Sequence, residues 1–238
     1  MRVRLVHGFA QAPRIWEPVE AHLPRDWDVQ AIAVPDGLDF VATAETLGMR
    51  GAQGTWVGYS MGGRLVLRLA LERPDLVDRL VLISASAGVA SPHEREQRRA
   101  EDENWAQQVE HVGVATFLER WHDQRLFESL PRSAAMLEVR ARANSVQGVA
   151  HQLRVLGQGA QDPLWDRLGE LEMPVLVVSG AWDRGYVELA ERMGAAINGA
   201  EVVTVPSAGH SVPLERPAEL AGVLADWLSS AADEGERA

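Results

Sequence analysis

The stretch Gly58-Tyr59-Ser60-Met61-Gly62 sets a serine between two glycines at the spacing of a nucleophile elbow. A very tight strand-to-helix turn holds such a serine in a strained backbone conformation with its hydroxyl exposed. Cβ atoms at the flanking positions would clash there. A helix beginning at Ser60 adds backbone N–H groups that favour negative charge. Two more residues complete a chemistry. His210, after Ser207-Ala208-Gly209, is expected to accept the Ser60 proton, and Asp183, after Gly180-Ala181-Trp182, to fix the His210 tautomer and stabilise the imidazolium. The order Ser, Asp, His along the chain is the one that an elbow of this kind uses. An oxyanion hole needs two backbone amides, expected from Met61 and, in His7-Gly8-Phe9, from Phe9. His7 itself reads as structural, and His22, His93, His111, His122 and His151 as helix or loop surface.

These residues need a scaffold. Apolar runs predict strands over residues 2–6, 28–34, 54–57, 79–84, 173–180 and 201–205. Helical patterns fall near 15–23, 40–47, 65–71, 188–197 and 217–228. Strands alternating with helices imply an α/β fold, a mostly parallel sheet of about six strands covered on both faces. Ser60, Asp183 and His210 each lie just past the C-terminal end of a strand, the edge at which open parallel sheets bind ligands. Between residues 88 and 165 the periodicity is helical throughout, with helices expected over 94–109, 114–122, 133–142 and 147–156. A crossover between parallel strands typically uses one helix. The stretch 88–165 is therefore read as an inserted helical cap on a core of residues 1–87 and 166–238, and residues 231–238 as a frayed tail.

Composition narrows the chemistry. At 238 residues the chain supports one domain with an inserted lid. It has no cysteine, which removes disulfides, thiolate metal sites and a cysteine nucleophile. Every basic residue is arginine, so lysine Schiff-base chemistry is excluded and anions must be held by guanidinium forks or backbone amides. A net charge of −11 disfavours nucleic acid as a partner. No metal-ligand spacing or nucleotide loop is visible, so no metal and no cofactor are expected. No apolar run approaches the roughly 20 residues of a membrane span, and residues 3–6 read as a strand rather than a signal peptide. A cytoplasmic enzyme is expected; oligomeric state is not legible.

The elbow, His7-Gly8-Phe9, Gly180-Ala181-Trp182-Asp183 and Ala208-Gly209-His210 together resemble the α/β-hydrolase superfamily over nearly the whole chain. Within it, Arg64, Glu94 to Asp102, Phe117-Leu118-Glu119-Arg120-Trp121, Gln124-Arg125-Leu126-Phe127, Arg140 to Asn144 and Leu153 to Trp165 resemble one branch. That branch is the menaquinone-pathway lyases, the 2-succinyl-6-hydroxy-2,4-cyclohexadiene-1-carboxylate synthases. The resemblance implies proton abstraction that expels pyruvate from a polycarboxylate precursor, with the serine as base. It implies Arg64, Arg98 and Arg142 as arginines for a small anionic substrate, Trp121 and Phe127 as pocket lining, and Tyr59 as the serine's neighbour. Arg95, Arg99 and Arg140 read as solvated helix-face residues. The chain begins at the strand this fold usually counts third, and Val34-Pro35-Asp36-Gly37 stands where an Asp-x-Pro-Gly-His-Gly loop is usual. Arg125 replaces a usual proline, and Gly185-Tyr186 a usual lysine–phenylalanine pair. The alternative is a hydrolase of esters or carbon–carbon bonds with Ser60 as acyl nucleophile. A ligand receptor on the same fold is the non-enzymatic reading.

Overall fold

A computed structural model describes residues 1–235 of the chain. In order it contains β1 (Arg2–Val6), α1 (Glu17–Glu20), β2 (Asp28–Ile32), α2 (Phe40–Gly51), β3 (Gly54–Tyr59), α3 (Met61–Glu72) and β4 (Val77–Ile83). Then come α4 (Pro92–His122), α5 (Leu137–Ala143), α6 (Val146–Leu156), β5 (Val175–Gly180), α7 (Arg184–Ala196), β6 (Glu201–Val205), α8 (Val212–Glu215) and α9 (Pro217–Gly235). The six strands form one sheet in the order β2-β1-β3-β4-β5-β6, every neighbouring pair parallel.

The strand sequences explain this order. β3 and β5 are buried at every position, as continuous apolar runs demand in the middle of a sheet covered on both sides. β2 and β6 alternate or face solvent, and they form the two edges. Successive central residues then feed opposite cores. Trp56, Leu80, Leu82 and Val177 pack with α2, α3 and α7, whereas Val57, Val81, Ile83 and Val178 pack with α1, α8 and α9. The chain passes from β1 to β2 on one side and then returns to β3 on the other. This reversal leaves a crevice between the C-terminal ends of β1 and β3, flanked by the loop that starts at His7 and the turn at Ser60.

Between β4 and β5 the chain carries α4, α5 and α6, whose apolar faces make a third cluster of Ala106, Val109, Phe117, Leu118, Trp121, Val149 and Leu153. Phe9, at the crevice, packs against it. The helices expected over 94–109 and 114–122 are both present within α4, meeting at a kink where Gly113 leaves helical geometry with φ 77° and ψ 166°, a conformation that suits glycine. The helix expected over 133–142 begins only at Leu137, because Met136 before it adopts a left-handed conformation. Other boundaries shift for local reasons. The helix expected near 15–23 is a 3-10 turn at Pro13–Trp16 followed by the short α1, each with proline in its first turn. β5 starts after Pro174, which cannot donate to a ladder. α7 starts at Arg184 rather than 188 because Asp183 caps it. α9 extends past the expected 228 to Gly235, so the frayed tail expected over 231–238 is helical as far as Gly235, and its last residues, 236–238, lie outside the described residues. Among the described residues no helix is long and apolar enough to cross a membrane.

Candidate active site

Ser60 is held at φ 53° and ψ −113°, the strained conformation that the elbow requires. A Cβ on Gly58 would lie 2.5 Å from the Gly62 carbonyl oxygen, and one on Gly62 would lie 2.5 Å from that of His7 and press into that of Val6. Only glycine lets β3, the turn and the loop after β1 approach so closely. The Ser60 amide donates to Ile83 O and its carbonyl accepts from the Arg64 amide, which fixes the serine as the residue that opens α3. Its hydroxyl does not cap the helix. It lies instead 3.1 Å from His210 Nε2.

His210 is positioned from both sides. The Glu215 carboxylate accepts from the amides of Gly209 and Ser211, at 2.8 and 2.9 Å. The Trp182 amide donates to Ala208 O, tying the Asp183 loop to the His210 loop. Asp183 Oδ1 takes the Tyr186 amide while Oδ2 accepts from His210 Nδ1 at 2.9 Å. With Nδ1 donating to Asp183, Nε2 is the acceptor facing the Ser60 hydroxyl. The structure thus brings Ser60, His210 and Asp183 into one hydrogen-bonded chain.

The loop after β1 is built with equal care. The Gly8 amide donates to Gln11 Oε1 at 2.9 Å and the Ala10 amide to Gln152 Oε1 at 3.0 Å. The Phe9 amide between them has no acceptor among the described residues, and neither has the Met61 amide at the start of α3. An amide pair of this kind suits a developing oxyanion. His7 is bonded at both ring nitrogens, with Nδ1 on Gly8 O and Nε2 accepting from the Val34 amide. Burial pushes its pKa down to about 4.

A cavity of about 290 Å³ opens over Ser60 and His210. Phe9, Tyr59, Met61, Trp121 and Phe127 all line it. Tyr59 is buried beneath, its hydroxyl sharing a hydrogen bond of 2.9 Å with Ser211 Oγ. Trp121 serves both the cavity wall and the third apolar cluster, and Phe127 stands edge-on to His210.

Of the arginines expected here, Arg64 and Arg98 line the cavity and Arg142 does not. Arg142 has its side chain 82% exposed and pairs with Glu138 one turn away. Arg140, expected on a solvated face, occupies the cavity wall instead: it is 4% exposed and donates through Nε to Ala10 O. Two residues along a helix is a turn of about 200°, so the two arginines point in opposite directions. Leu137, one turn before Arg140 on the same side of α5, packs against the third apolar cluster, but one leucine in a seven-residue helix is too little for the sequence to show which arginine faces inward. His122, also expected at the surface, is buried and stacks on Phe127. Arg95 and Arg99 keep the expected exposed or half-exposed positions.

Electrostatically the cavity is unbalanced. Arg64, Arg98 and Arg140 face a single carboxylate, Asp102, which pairs with Arg98 at 2.9 Å. Arg64 donates to Leu156 O and Gln161 Oε1, and neither it nor Arg140 has a carboxylate partner among the described residues. Burial lowers both guanidinium pKa values to about 10, still charged at neutral pH. Five N–H donors on each fork leave several free to grip an anion. Gln11, Gln152, Gln158 and Tyr186 also line the cavity, and no sequence motif singles out the glutamines.

The chain matches the model of the Alpha/beta hydrolase family over residues 5–223. It is 33% identical over 178 residues to a Bacillus subtilis protein provisionally named 2-succinyl-6-hydroxy-2,4-cyclohexadiene-1-carboxylate synthase, a match spanning 73% of this chain and 65% of that one. A Serratia proteamaculans protein named as the same synthase is 28% identical over 94% of this chain and 91% of its own length. Among solved structures, MenH from S. aureus superposes with a TM-score of 0.89 at 25% identity, covering 97% of this chain and 94% of that one.

Proposed function

The chain belongs to the Alpha/beta hydrolase family, and from that premise we propose that it is a carbon–oxygen lyase of menaquinone biosynthesis that eliminates pyruvate from a succinyl-enolpyruvyl-cyclohexene carboxylate. The observation that carries this reading is the cavity charge: three arginines around one carboxylate, directly over Ser60 and His210. That arrangement suits a substrate bearing several carboxylates and is wasteful for a neutral ester. The names of the relatives point the same way.

In this reading His210 holds the Ser60 proton and Asp183 stabilises the resulting imidazolium. The Ser60 oxygen removes a proton from a ring carbon of the substrate. That carbon's electron pair moves into the ring to form the conjugated diene as the carbon–oxygen bond to the enolpyruvyl group breaks. The departing enolpyruvate takes up the proton that the His210 imidazolium gives back and becomes pyruvate, which leaves Ser60 protonated and His210 neutral as at the start. The amides of Phe9 and Met61 stabilise negative charge that develops on the substrate. Residues 88–165 act as a cap that brings Arg98, Trp121, Phe127 and Arg140 over the serine and keeps water out of the elimination. No cofactor enters the reaction, and the work is done in the cytoplasm.

Release of pyruvate from the precursor by the purified protein, abolished in Ser60→Ala, is the expected result. No pyruvate from an active preparation that rapidly turns over p-nitrophenyl esters would overturn it. One observation favours that second reading, a serine hydrolase: the strained Ser60, the His210 contact and the two unpaired amides are also the equipment of acyl transfer. Trapping a covalent acyl group on Ser60 distinguishes the two.

A further inference from the structure

Tyr186 stands in the first turn of α7, three residues after Asp183, which caps the helix through the Tyr186 amide. Its ring packs edge-on against His210, with centroids 4.5 Å apart. Its hydroxyl oxygen accepts from Gln158 Nε2 at 2.9 Å, and both side chains line the cavity over Ser60. Gln158 belongs to the segment whose Leu156 carbonyl and Gln161 side chain hold Arg64. A phenol has one O–H to donate. With Gln158 supplying the bond that the oxygen accepts, that proton is left without an acceptor among the described residues. Arg64 and Arg98 line the same cavity as the phenol. The hydroxyl therefore lies where an anion drawn in by two arginines would arrive.

We propose that Tyr186 is a specificity-determining residue that donates its hydroxyl proton to a carboxylate held by Arg64 and Arg98, and that Gln158 is the positioning residue that turns this proton toward the cavity. A hydrogen bond to an ionised acceptor is roughly twice as strong as one to a neutral acceptor. The pair thus favours a carboxylate over a neutral group of the same shape. This rests on the anionic-substrate reading of the cavity and not on the elimination step, so it and the pyruvate assay fail independently.

Calorimetric titration with succinate and with its neutral diamide, succinamide, tests the proposal without any turnover. Tyr186→Phe removes one oxygen atom and leaves the ring in place. The expected result is about a tenfold loss of succinate affinity with succinamide changed less than about threefold. Gln158→Leu should weaken succinate binding by a smaller factor in the wild-type background and have no further effect in Tyr186→Phe, because it acts through the phenol. Equal losses for the two probes, no loss in Tyr186→Phe, additive losses in the double variant, or no saturable succinate binding by the wild-type protein would each overturn it.

Discussion

The guanidinium of Arg140 donates through Nε to the carbonyl of Ala10 at 3.0 Å, joining α5 to the loop after β1 across 130 residues of chain. That bond ties α5, which lies between β4 and β5 in the chain, to the loop that carries the Phe9 amide, and the Arg140 side chain lines the cavity. Arg140→Ala is expected to lower kcat/KM for a polycarboxylate substrate by about 100-fold, the scale of a lost charge-assisted pair. Arg142→Ala, at an exposed pair with Glu138, is expected to stay within about twofold of wild type. Steady-state kinetics on the two variants decides the matter, and the reverse ranking would mean that α5 is turned the other way in solution.

Ser60, His210 and Asp183 form one hydrogen-bonded chain, so their losses should not add. Ser60→Ala and His210→Ala are each expected to cost about a thousandfold or more in kcat, and the double variant little beyond either single one. Multiplicative losses in the double variant would show the two residues working separately.

Gly62 tests the elbow as a packing device. An alanine Cβ there meets the carbonyls of Val6 and His7, both backbone atoms that cannot swing aside. Gly62→Ala is expected to cost about 3 kcal/mol of stability, the upper range for overpacking, and to displace the Phe9 amide with it. Gly222→Ala is a control: nothing lies within 4 Å of its Cβ position inside α9, so it is expected to be neutral or to stabilise by up to about 1 kcal/mol. Urea denaturation of both variants measures the difference.

His7 makes stability depend on pH. Its folded pKa, about 4, lies below its ordinary value of 6.5, so between those values the unfolded chain binds the extra proton. The contribution is complete above pH 6.5 and is lost as pH falls toward about 4. The expected loss between pH 7 and pH 5 is about 2 kcal/mol. His7→Gln keeps a donor for Gly8 O and an acceptor for the Val34 amide, and should flatten that slope in urea midpoints.

Much of the scaffold was legible because its signals are local. Strands buried on both faces read as continuous apolar runs, and β3 and β5 fall where those runs lie. The glycines around Ser60 advertise a turn that no other residue type permits, and Asp183 and His210 follow strand ends in the expected order. The boundaries that moved did so through equally local chemistry: the Asp183 cap, Pro174, the left-handed Met136.

The cavity wall was another matter. Arg140 and Arg142 are the same residue type two positions apart, and the family resemblance points to Arg142 where the cavity wall holds Arg140. A helix distinguishes them only by which face it buries, and that is decided by packing α5 against α4 and the loop at Ala10. Likewise Gln11 and Gln152 look like ordinary polar residues until the fold brings their carbonyls to the amides of Gly8 and Ala10 and leaves Phe9 unpaired. The sequence by itself determined the sheet, the elbow and the three residues of the hydrogen-bonded chain, because periodicity and turn sterics act between near neighbours. Only the tertiary structure decided which arginines and amides face the serine, because a side chain's direction is set by partners more than 100 residues away, as Ala10 and Arg140 are.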